Sequence, residues 1–374
     1  MTFPLSKYTT SELLGLKHLI YIYPVTKRLS FSLIAKEHIA RLKRTIQVHE
    51  VDEEVLDMFF WTSGKNILLH PILYVTIGDR KEMFNARIKR LHNLLKVKHL
   101  LGGFDTCDSD QISNIAVEVL NHFDLIIVPS TFAKKVYRSC GVKAHIEVLP
   151  HGLPDAFLGP AFQEVTPAIF DLLQLKKQHN MKLVLFFLQH SGFRKGADIV
   201  YKAFKQIQER RKDIVLVVKR GEIEDPFIHP LRSLKMVEIA GFMSWKELAS
   251  LYDAVDIVVV PSRGGGFELN ALEAIARGKP TIAPNAGCFM DYAKYLVTLE
   301  RLSKVKVFPD NPIHVGYGFQ ADPQELAEKI IEICDHYYEY STQAQRNSVK
   351  VKLNYSWDKV CSKLISILQR RGFI

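Results

Sequence analysis

Short apolar runs alternate along the chain with stretches in which apolar residues recur every three or four positions. This alternation predicts buried strands connected by amphipathic helices, as in a parallel sheet that helices cover on both faces. In the first part of the chain the predicted strands cover residues 18–23, 45–49, 66–73, 98–103, 125–128 and 146–149. The predicted helices between them cover residues 31–44, 53–60, 83–96, 111–122 and 132–139.

The alternation resumes after a stretch rich in proline and glycine, from Pro150 to Pro167. Further strands are predicted over 183–188, 214–218, 236–239, 257–260 and 281–283, with helices over 197–211, 245–251, 269–277, 323–338 and 357–369. We therefore predict an α/β protein in which two Rossmann-like, doubly wound parallel-sheet domains face each other across a cleft. Their predicted bounds are 1–152 and 168–354, with a linker over 153–167 and a closing segment, 355–374, that packs back onto the first domain. Ligands of such sheets bind beyond the carboxyl ends of the strands.

Composition narrows the class of protein but does not choose a function. The 374 residues carry a net charge of +10, which favours an anionic partner such as a nucleotide, an acidic lipid surface or nucleic acid. Because no nucleic-acid-binding motif is recognisable, we expect no nucleic-acid partner. Five scattered cysteines without a C-x-x-C pair favour a reducing compartment over a disulfide framework or zinc site. The absence of a signal-peptide pattern and of a long apolar run predicts a cytoplasmic protein.

Residues 261–283, PSRGGGFELNALEAIARGKPTIA, combine a strand end, a glycine loop, a helix and another strand. The three glycines permit close approach of a ligand to the backbone, and the helix N-terminus favours an anion. Glu273, one turn into that helix, could accept two hydroxyl hydrogens from a ribose. The alternative is an ordinary glycine turn before an amphipathic helix with a solvated glutamate.

Basic residues follow two predicted strands of the second domain. Arg194 and Lys195 come after the strand over 183–188, where fixed cations would stabilise the charge that develops on a leaving diphosphate. Solvated basic residues at a helix start are the alternative. Lys219 and Arg220 end the next strand and are weaker candidates for contacts with a base or a phosphate.

These segments resemble the retaining GT-B glycosyltransferases of family four, the glycosyl transferases group 1. Members carry an acidic residue in the glycine loop and a second one followed by Ala in the helix. Glu273-Ala274 matches the second, whereas Gly265 stands at the first, with Glu268 three residues later. Members carry an arginine and, five residues later, a lysine followed by glycine. Lys195-Gly196 matches the lysine and glycine, and His190 stands where members carry the arginine. Residues 128–153 and 355–364 resemble the end of the family's first domain and its closing helix.

The resemblance implies a GT-B fold and an enzyme that moves a hexosyl group from a UDP- or GDP-linked donor to an acceptor hydroxyl, with retention of configuration and without a metal or other cofactor. From the residues and the resemblance together, we predict Lys195, Arg194 and Glu268 as catalytic residues. The predicted donor-binding residues are Glu273, Gly264, Gly265, Gly266, Phe267, Leu269, His190 and Lys219. Because Gly265 departs from the family pattern, a non-catalytic scaffold or regulatory subunit that binds a nucleotide sugar is the alternative.

The first domain offers fewer candidates. Asp105 and Asp108 follow a predicted strand and could orient an acceptor hydroxyl or bind a metal, or Asp108 could simply cap the next helix. His70 is the nearest match to a histidine that the family places at the donor's reacting carbon, although a strand-end histidine satisfied by hydrogen bonds is the alternative. The acceptor, a glycan, lipid-linked glycan or protein, stays unassigned. The basic amphipathic segment 80–98 suits either an anionic membrane surface or an internal helix with a solvated charged face.

Overall fold

A computed structural model describes residues 18–27, 29–57, 66–78, 81–95 and 100–374. The first domain is built on a parallel sheet with the strand order β2-β1-β3-β4-β5-β6. Strands β1 to β6 are His18–Tyr23, Gln47–Asp52, Asn66–Leu69, Leu101–Phe104, Leu125–Val128 and His145–Val148. Its helices are Ser30–Leu42, Ile72–Thr76, Lys81–Leu95, Asn114–Leu120 and Thr131–Ser139, with a 3₁₀ turn at Glu53–Asp57.

The second domain repeats this design with the strand order β12-β11-β10-β7-β8-β9. Strands β7 to β12 are Lys182–Leu188, Ile214–Arg220, Met236–Ile239, Ile257–Val259, Thr281–Pro284 and Val297–Leu299. An antiparallel hairpin of β13, Leu302–Lys306, and β14, Tyr317–Ala321, follows. The helices are Asp155–Leu158, Pro167–His179, Gly192–Lys195, Ala197–Arg210, Ile228–Leu231, Trp245–Ala254, Leu269–Ala276, Pro323–Asp335, Tyr337–Asn354 and Trp357–Arg370.

Both sheets are buried on both faces, as the apolar runs predict. Alternate residues of a strand point to opposite faces. In β1, Tyr21 packs in the core under the last helix while its neighbour Ile22 packs in the core on the other face. In β7, Leu185 and Phe186 divide in the same way between two cores. The predicted pair of doubly wound parallel sheets across a cleft is therefore confirmed.

Several elements differ from the predicted ones. Strand β3 ends at Leu69 instead of residue 73, because Pro71 has no N–H for the sheet and directly precedes a helix. The helix Pro167–His179 was not predicted because Pro167 was interpreted as part of a linker, whereas it occupies a first-turn position after a capping Thr166. Helix Tyr337–Asn354, strand β12 and the β13–β14 hairpin were also missed. Residues 58–60, 96 and 98–99 of predicted elements lie outside the described residues.

The chain crosses between the domains at two adjacent points, where Leu153 pairs with Ser356. Helix Trp357–Arg370 then packs against helix Ser30–Leu42 of the first domain, and Arg41 donates to Asp358 at 2.8 Å. Downstream of Leu153, the carbonyls of Gly159 and Pro160 accept hydrogen bonds of 2.9 Å from Arg277 of the second domain. Part of the predicted 153–167 linker is thus anchored to the second domain, and the exact bounds of the domains stay a prediction.

The loop of the β13–β14 hairpin contacts the first domain along one side of the cleft. The N–H of Ser113 donates to the Ile313 carbonyl at 2.9 Å, and the N–H of Asp110 donates to the Tyr317 carbonyl at 2.8 Å. Ile112 and His314 form an antiparallel bridge between these bonds. The hairpin therefore holds the two domains together next to the glycine loop.

Candidate active site

A cleft of about 710 Å³ lies between the two domains at the carboxyl ends of their strands. The second domain contributes the turn at Gly192–Lys195 and the start of helix Leu269–Ala276. The first domain contributes the ends of β3 and β4 and one face of helix Ser30–Leu42. The closing helix adds Trp357. Most of the predicted site residues line this cleft, which is where doubly wound sheets bind ligands.

The turn that carries Arg194 and Lys195 is fixed by close backbone contact. Gly196 has a φ of +80°, and a Cβ there would lie 2.3 Å from the Pro261 carbonyl oxygen, so only glycine fits. The Arg263 guanidinium is 1% exposed and binds both oxygens of Asp198, at 2.7 and 2.8 Å. Sequence reasoning missed this pair, because an arginine beside a glycine loop gives no sign of its partner.

The two basic residues reach the glycine loop and its glutamate. Lys195 Nζ contacts both Glu268 oxygens, at 2.9 and 2.6 Å, and Arg194 donates to the Gly264 carbonyl at 2.9 Å. Glu268 is 2% exposed and precedes helix Leu269–Ala276, yet its carboxylate does not cap that helix. The structure thus brings together all three predicted catalytic residues.

The departure from the family pattern at Gly265 has a structural explanation. A Cβ at Gly265 would lie 2.3 Å from Glu268 Oε1. The Glu268 carboxylate therefore occupies the space in which a side chain at position 265 would begin. An acidic residue at 265 and the observed position of Glu268 exclude each other.

The other two glycines of the loop lie against the first domain. A Cβ at Gly264 would lie 2.0 Å from the Asp108 carbonyl oxygen, and one at Gly266 would lie 1.3 Å from Thr106 Oγ1. The Asp108 carboxylate is 3.9 Å from Arg194. Burial by itself raises the pKa of Asp108, but Arg194, together with His314, Lys195 and the Gly266 N–H, holds it below the usual value. The carboxylate therefore joins the charged group around Arg194.

Glu273 lies in the cleft but is only 5% exposed. The Tyr252 hydroxyl lies 2.8 Å from Glu273 Oε2 and 3.1 Å from the Asn270 carbonyl oxygen, and these two acceptors share its single hydrogen. Burial raises the pKa of Glu273 to about 7, and the Tyr252 hydrogen bond partly opposes this shift. The carboxyl is therefore buried, whereas the alternative interpretation requires a solvated glutamate.

The remaining donor-side candidates divide into two groups. Phe267, Leu269 and His190 line the cleft. Lys219 is only 2% exposed and is not among the described residues that line the cleft, since its ammonium donates to the carbonyls of Arg220 and Gly241. The structure does not bring Lys219 to the donor side, because the carbonyls at the end of strands β8 and β9 bind it there.

The first-domain candidates have structural partners. Asp105 accepts hydrogen bonds of 2.7 Å from the N–H groups of Leu73 and Thr106, and burial raises its pKa to about 7. The predicted capping by Asp108 is wrong, because Ser113 caps the helix that begins at Asn114. His70 lines the cleft at the end of β3, with Nδ1 2.9 Å from the Tyr21 hydroxyl.

The basic segment over 80–98 forms helix Lys81–Leu95 in the described part of the chain, and two of its arginines point inward. Arg87 and Arg90 are 6% and 7% exposed and lie 3.6 and 2.5 Å from Glu53. Among the described residues, no helix is long and apolar enough to span a bilayer. The same residues contain no group of three or more His, Cys, Asp or Glu side chains placed to hold a metal ion.

Comparison with known proteins defines the family. A model of the family described as glycosyl transferases group 1 matches residues 172–350. An uncharacterised protein of Sulfolobus islandicus rod-shaped virus 1 is 30% identical over 363 residues, which is 95% of this chain and 99% of that protein. A protein of Sulfolobus islandicus filamentous virus (isolate Iceland/Hveragerdi) that is named as a glycosyltransferase is 27% identical over 237 residues, or 61% of this chain and 62% of that protein.

Among solved structures, Anabaena HepE in complex with UDP-glucose has a similar fold, with a TM-score of 0.64 and 14% identity over 94% of this chain and 99% of that one. That likeness, to a GT-B protein, concerns the fold. The expected resemblance to the glycosyl transferases group 1 is confirmed, while retention and family four stay predictions, and the chain, a GT-B glycosyltransferase, belongs to the glycosyl transferases group 1 family.

Proposed function

We propose that the protein transfers a sugar from a nucleoside-diphosphate donor to an acceptor hydroxyl, with retention of configuration. The observation that carries this proposal is the convergence of Arg194 and Lys195 on the loop before helix Leu269–Ala276, within the cleft. Two cations and a helix N-terminus form a site for a diphosphate. The structure of Anabaena HepE contains UDP-glucose, which favours UDP over GDP as the first donor to test.

In this proposal the bond between the sugar C1 and the diphosphate oxygen breaks, and the electron pair stays with the diphosphate. Lys195 and Arg194 stabilise the charge that develops there. The acceptor oxygen forms the new bond to C1. Its proton passes to an oxygen of the departing diphosphate or to water. Glu273 holds the ribose of the donor. Because the two side-chain cations supply the positive charge, we expect transfer to continue when divalent ions are chelated.

The position of Glu268 supports an enzyme over a non-catalytic scaffold. Position 265 carries glycine instead of the family's acidic residue, but a carboxylate oxygen of Glu268 lies 2.3 Å from where a Cβ of residue 265 would lie. This carboxylate is also bound to Lys195 at 2.6 Å. This arrangement supports the proposal that Glu268 takes the role of the acidic residue that is absent at position 265.

The test is a thermal-shift and calorimetric panel of nucleoside diphosphates and their sugar conjugates, because binding needs no knowledge of the acceptor. A ligand that binds the native state raises its melting temperature. We expect one nucleotide and its sugar conjugate to stabilise the wild type, with the effect lost in Glu273→Ala. If none of the panel stabilises the protein, the donor-site proposal is wrong.

A further inference from the structure

The first-domain wall of the cleft contains two histidines that share one buried tyrosine. The Tyr21 hydroxyl is 3.0 Å from His38 Nδ1 and 2.9 Å from His70 Nδ1. A hydroxyl has one hydrogen to donate, so it donates to one Nδ1 and accepts from the other. The two imidazoles therefore adopt opposite tautomers. One Nε2 carries a hydrogen and the other carries a lone pair.

Two polar atoms on this wall are buried without a partner. His38 Nε2 and Trp357 Nε1 have no hydrogen-bond partner among the described residues, although the two side chains are 1% and 3% exposed. Their rings are perpendicular, with centroids 5.4 Å apart, and both residues line the cleft. His38 Nδ1 is bonded to the hydroxyl of Tyr21, which is fully buried and is not among the described residues that line the cleft, so Nε2 is the ring nitrogen left for a ligand. Native proteins leave few buried polar atoms unpaired, so two side by side in a cleft indicate a ligand.

The rings around these atoms are aromatic, and the charged side chains near His38 are Glu37, which lines the cleft, and Arg41, which is paired with Glu37. The Phe104 ring stacks on His38 and His70, with centroids 4.6 and 4.8 Å away. Burial, followed by the neighbouring histidines, keeps the pKa of His70 well below its usual value, and burial holds the pKa of His38 near 3, so both rings are neutral. No lysine or arginine of the first domain is among the described residues that line the cleft. This wall offers hydrogen bonds and ring faces but no counter-charge for an anion.

From this arrangement we propose that His38 Nε2 and Trp357 Nε1 bind hydroxyl groups of the acceptor, and that the acceptor is an uncharged polyhydroxylated molecule of the sugar class. This inference rests on the proposed glycosyl transfer, which it deepens by naming the acceptor chemistry. Sites of this kind bind small molecules through an apolar, aromatic lining and a few placed polar atoms. The tautomers that Tyr21 fixes decide which Nε2 donates and which accepts.

The test observes the indole signals of ¹⁵N-tryptophan-labelled full-length protein, saturated with UDP. The chain has three tryptophans, and Trp357→Phe identifies the signal of Trp357. The neutral probes are the methyl glycosides of glucose, galactose, mannose and N-acetylglucosamine, and the anionic probes are glucose 6-phosphate and glucuronate. We expect at least one neutral probe to shift the Trp357 signal below about 50 mM and the anionic probes to bind about tenfold more weakly.

A matched pair of variants tests His38. His38→Asn retains a polar atom near the position of Nδ1, within reach of Tyr21, and removes Nε2, whereas His38→Gln places an amide near the position of Nε2. We expect His38→Asn to weaken binding of the neutral probe about tenfold, and His38→Gln to retain binding within about threefold. UDP affinity stays unchanged in both. If His38→Asn does not fold, loss of probe binding in Trp357→Phe, measured by calorimetry, tests the same site.

Three outcomes overturn the inference: no neutral probe binds, the anionic probes bind as well as the neutral ones, or His38→Asn and His38→Gln behave alike. The sugar titration is repeated without UDP. If UDP does not bind but the neutral sugars still shift the Trp357 signal, the donor proposal fails and the sugar site stands.

Discussion

The two walls of the cleft differ in the charge of their side chains. The second-domain wall holds Arg194, Lys195 and the buried Glu268 within ion-pair distance of one another. On the first-domain wall, Asp108 lies 3.9 Å from Arg194 and joins this charged group, whereas burial keeps the imidazoles of His38 and His70 neutral. A donor that leaves as a diphosphate needs fixed charge, whereas an acceptor hydroxyl needs only hydrogen-bond partners. The cleft therefore separates the two substrates by chemistry as well as by domain.

The comparison is tested most strongly by removing a charge from the second-domain wall. We expect Lys195→Met to lower kcat/KM for sugar transfer by about 10²- to 10³-fold, because a fixed cation beside the leaving diphosphate is lost. The same change leaves the buried Glu268 carboxylate with Arg194, 3.9 Å away, as its remaining ion-pair partner and also lowers the free energy of unfolding. Transfer kinetics and chemical denaturation measure the two effects separately.

The double variant Lys195→Met/Glu268→Gln distinguishes phosphate binding from charge neutralisation. It has no unpaired carboxylate, so its stability should return towards that of the wild type. If Lys195 binds phosphate, UDP affinity in the double variant is about tenfold lower than in Glu268→Gln alone. Equal affinities would mean that Lys195 serves only as the counter-ion of Glu268.

A smaller effect is expected from Gly265→Ala, which adds one carbon to the same wall. Its Cβ would lie 2.3 Å from Glu268 Oε1, so the carboxylate must shift from the position in which Lys195 binds it. We expect the transfer rate to fall at least about tenfold, and by much less in a Glu268→Ala background, since the two positions share one space. Gly221→Ala is the matched control, because its Cβ would meet the nearest atom, the Gln189 carbonyl oxygen, only at 3.6 Å. Additive effects of the changes at 265 and 268 would contradict the explanation that the Glu268 carboxylate occupies the space of a side chain at position 265.

The protonation of Glu273 gives an effect that depends on pH. With a pKa of about 7, the carboxyl is ionised to about one tenth at pH 6 and about nine tenths at pH 8. If the carboxylate accepts the ribose hydroxyl hydrogens, affinity for uridine falls about tenfold as the pH is lowered from 8 to 6. Uridine has no phosphate that titrates in this range, and Glu273→Gln should bind it equally at both pH values. Tighter binding at pH 6 would exclude this role for Glu273.

The second-domain wall was largely predictable from the sequence, because its residues lie in two short segments that each follow a predicted strand. Lys195-Gly196 and the segment from Gly264 to Glu273 each follow a strand, and the carboxyl ends of neighbouring parallel strands meet at one edge of a sheet. The contacts between these side chains could not be predicted from the sequence. The Glu268 carboxylate against Gly265 and the retention of Lys219 at the Gly241 carbonyl both depend on side-chain positions.

On the first-domain wall, His70, Asp105 and Asp108 were predicted from the sequence, but the aromatic cluster around His38 was not. It combines Tyr21 from β1, His38 from the following helix, Phe104 from the end of β4 and Trp357 from the closing helix. His38 lies on a helix face among apolar neighbours, where a histidine gives no sign that it faces a cleft. Trp357 reaches the wall only because Gly152 lets the indole pack against the backbone at the domain crossing. Residues this far apart in sequence become a site only through tertiary packing.

The smallest effect is expected from Tyr21→Phe, which leaves both walls in place and removes only the bridge between the two histidines. Two buried Nδ1 atoms then lack a partner, so the free energy of unfolding should fall by about 1–3 kcal/mol in chemical denaturation. Because the tautomers are no longer opposed, affinity for a neutral sugar probe should fall about threefold while UDP affinity is unchanged. Tyr23→Phe is the matched control: its hydroxyl donates to Glu50 at 2.6 Å, and Tyr23 is not among the described residues lining the cleft. If both variants lose the same stability and neither loses sugar affinity, Tyr21 stabilises the domain without orienting its histidines.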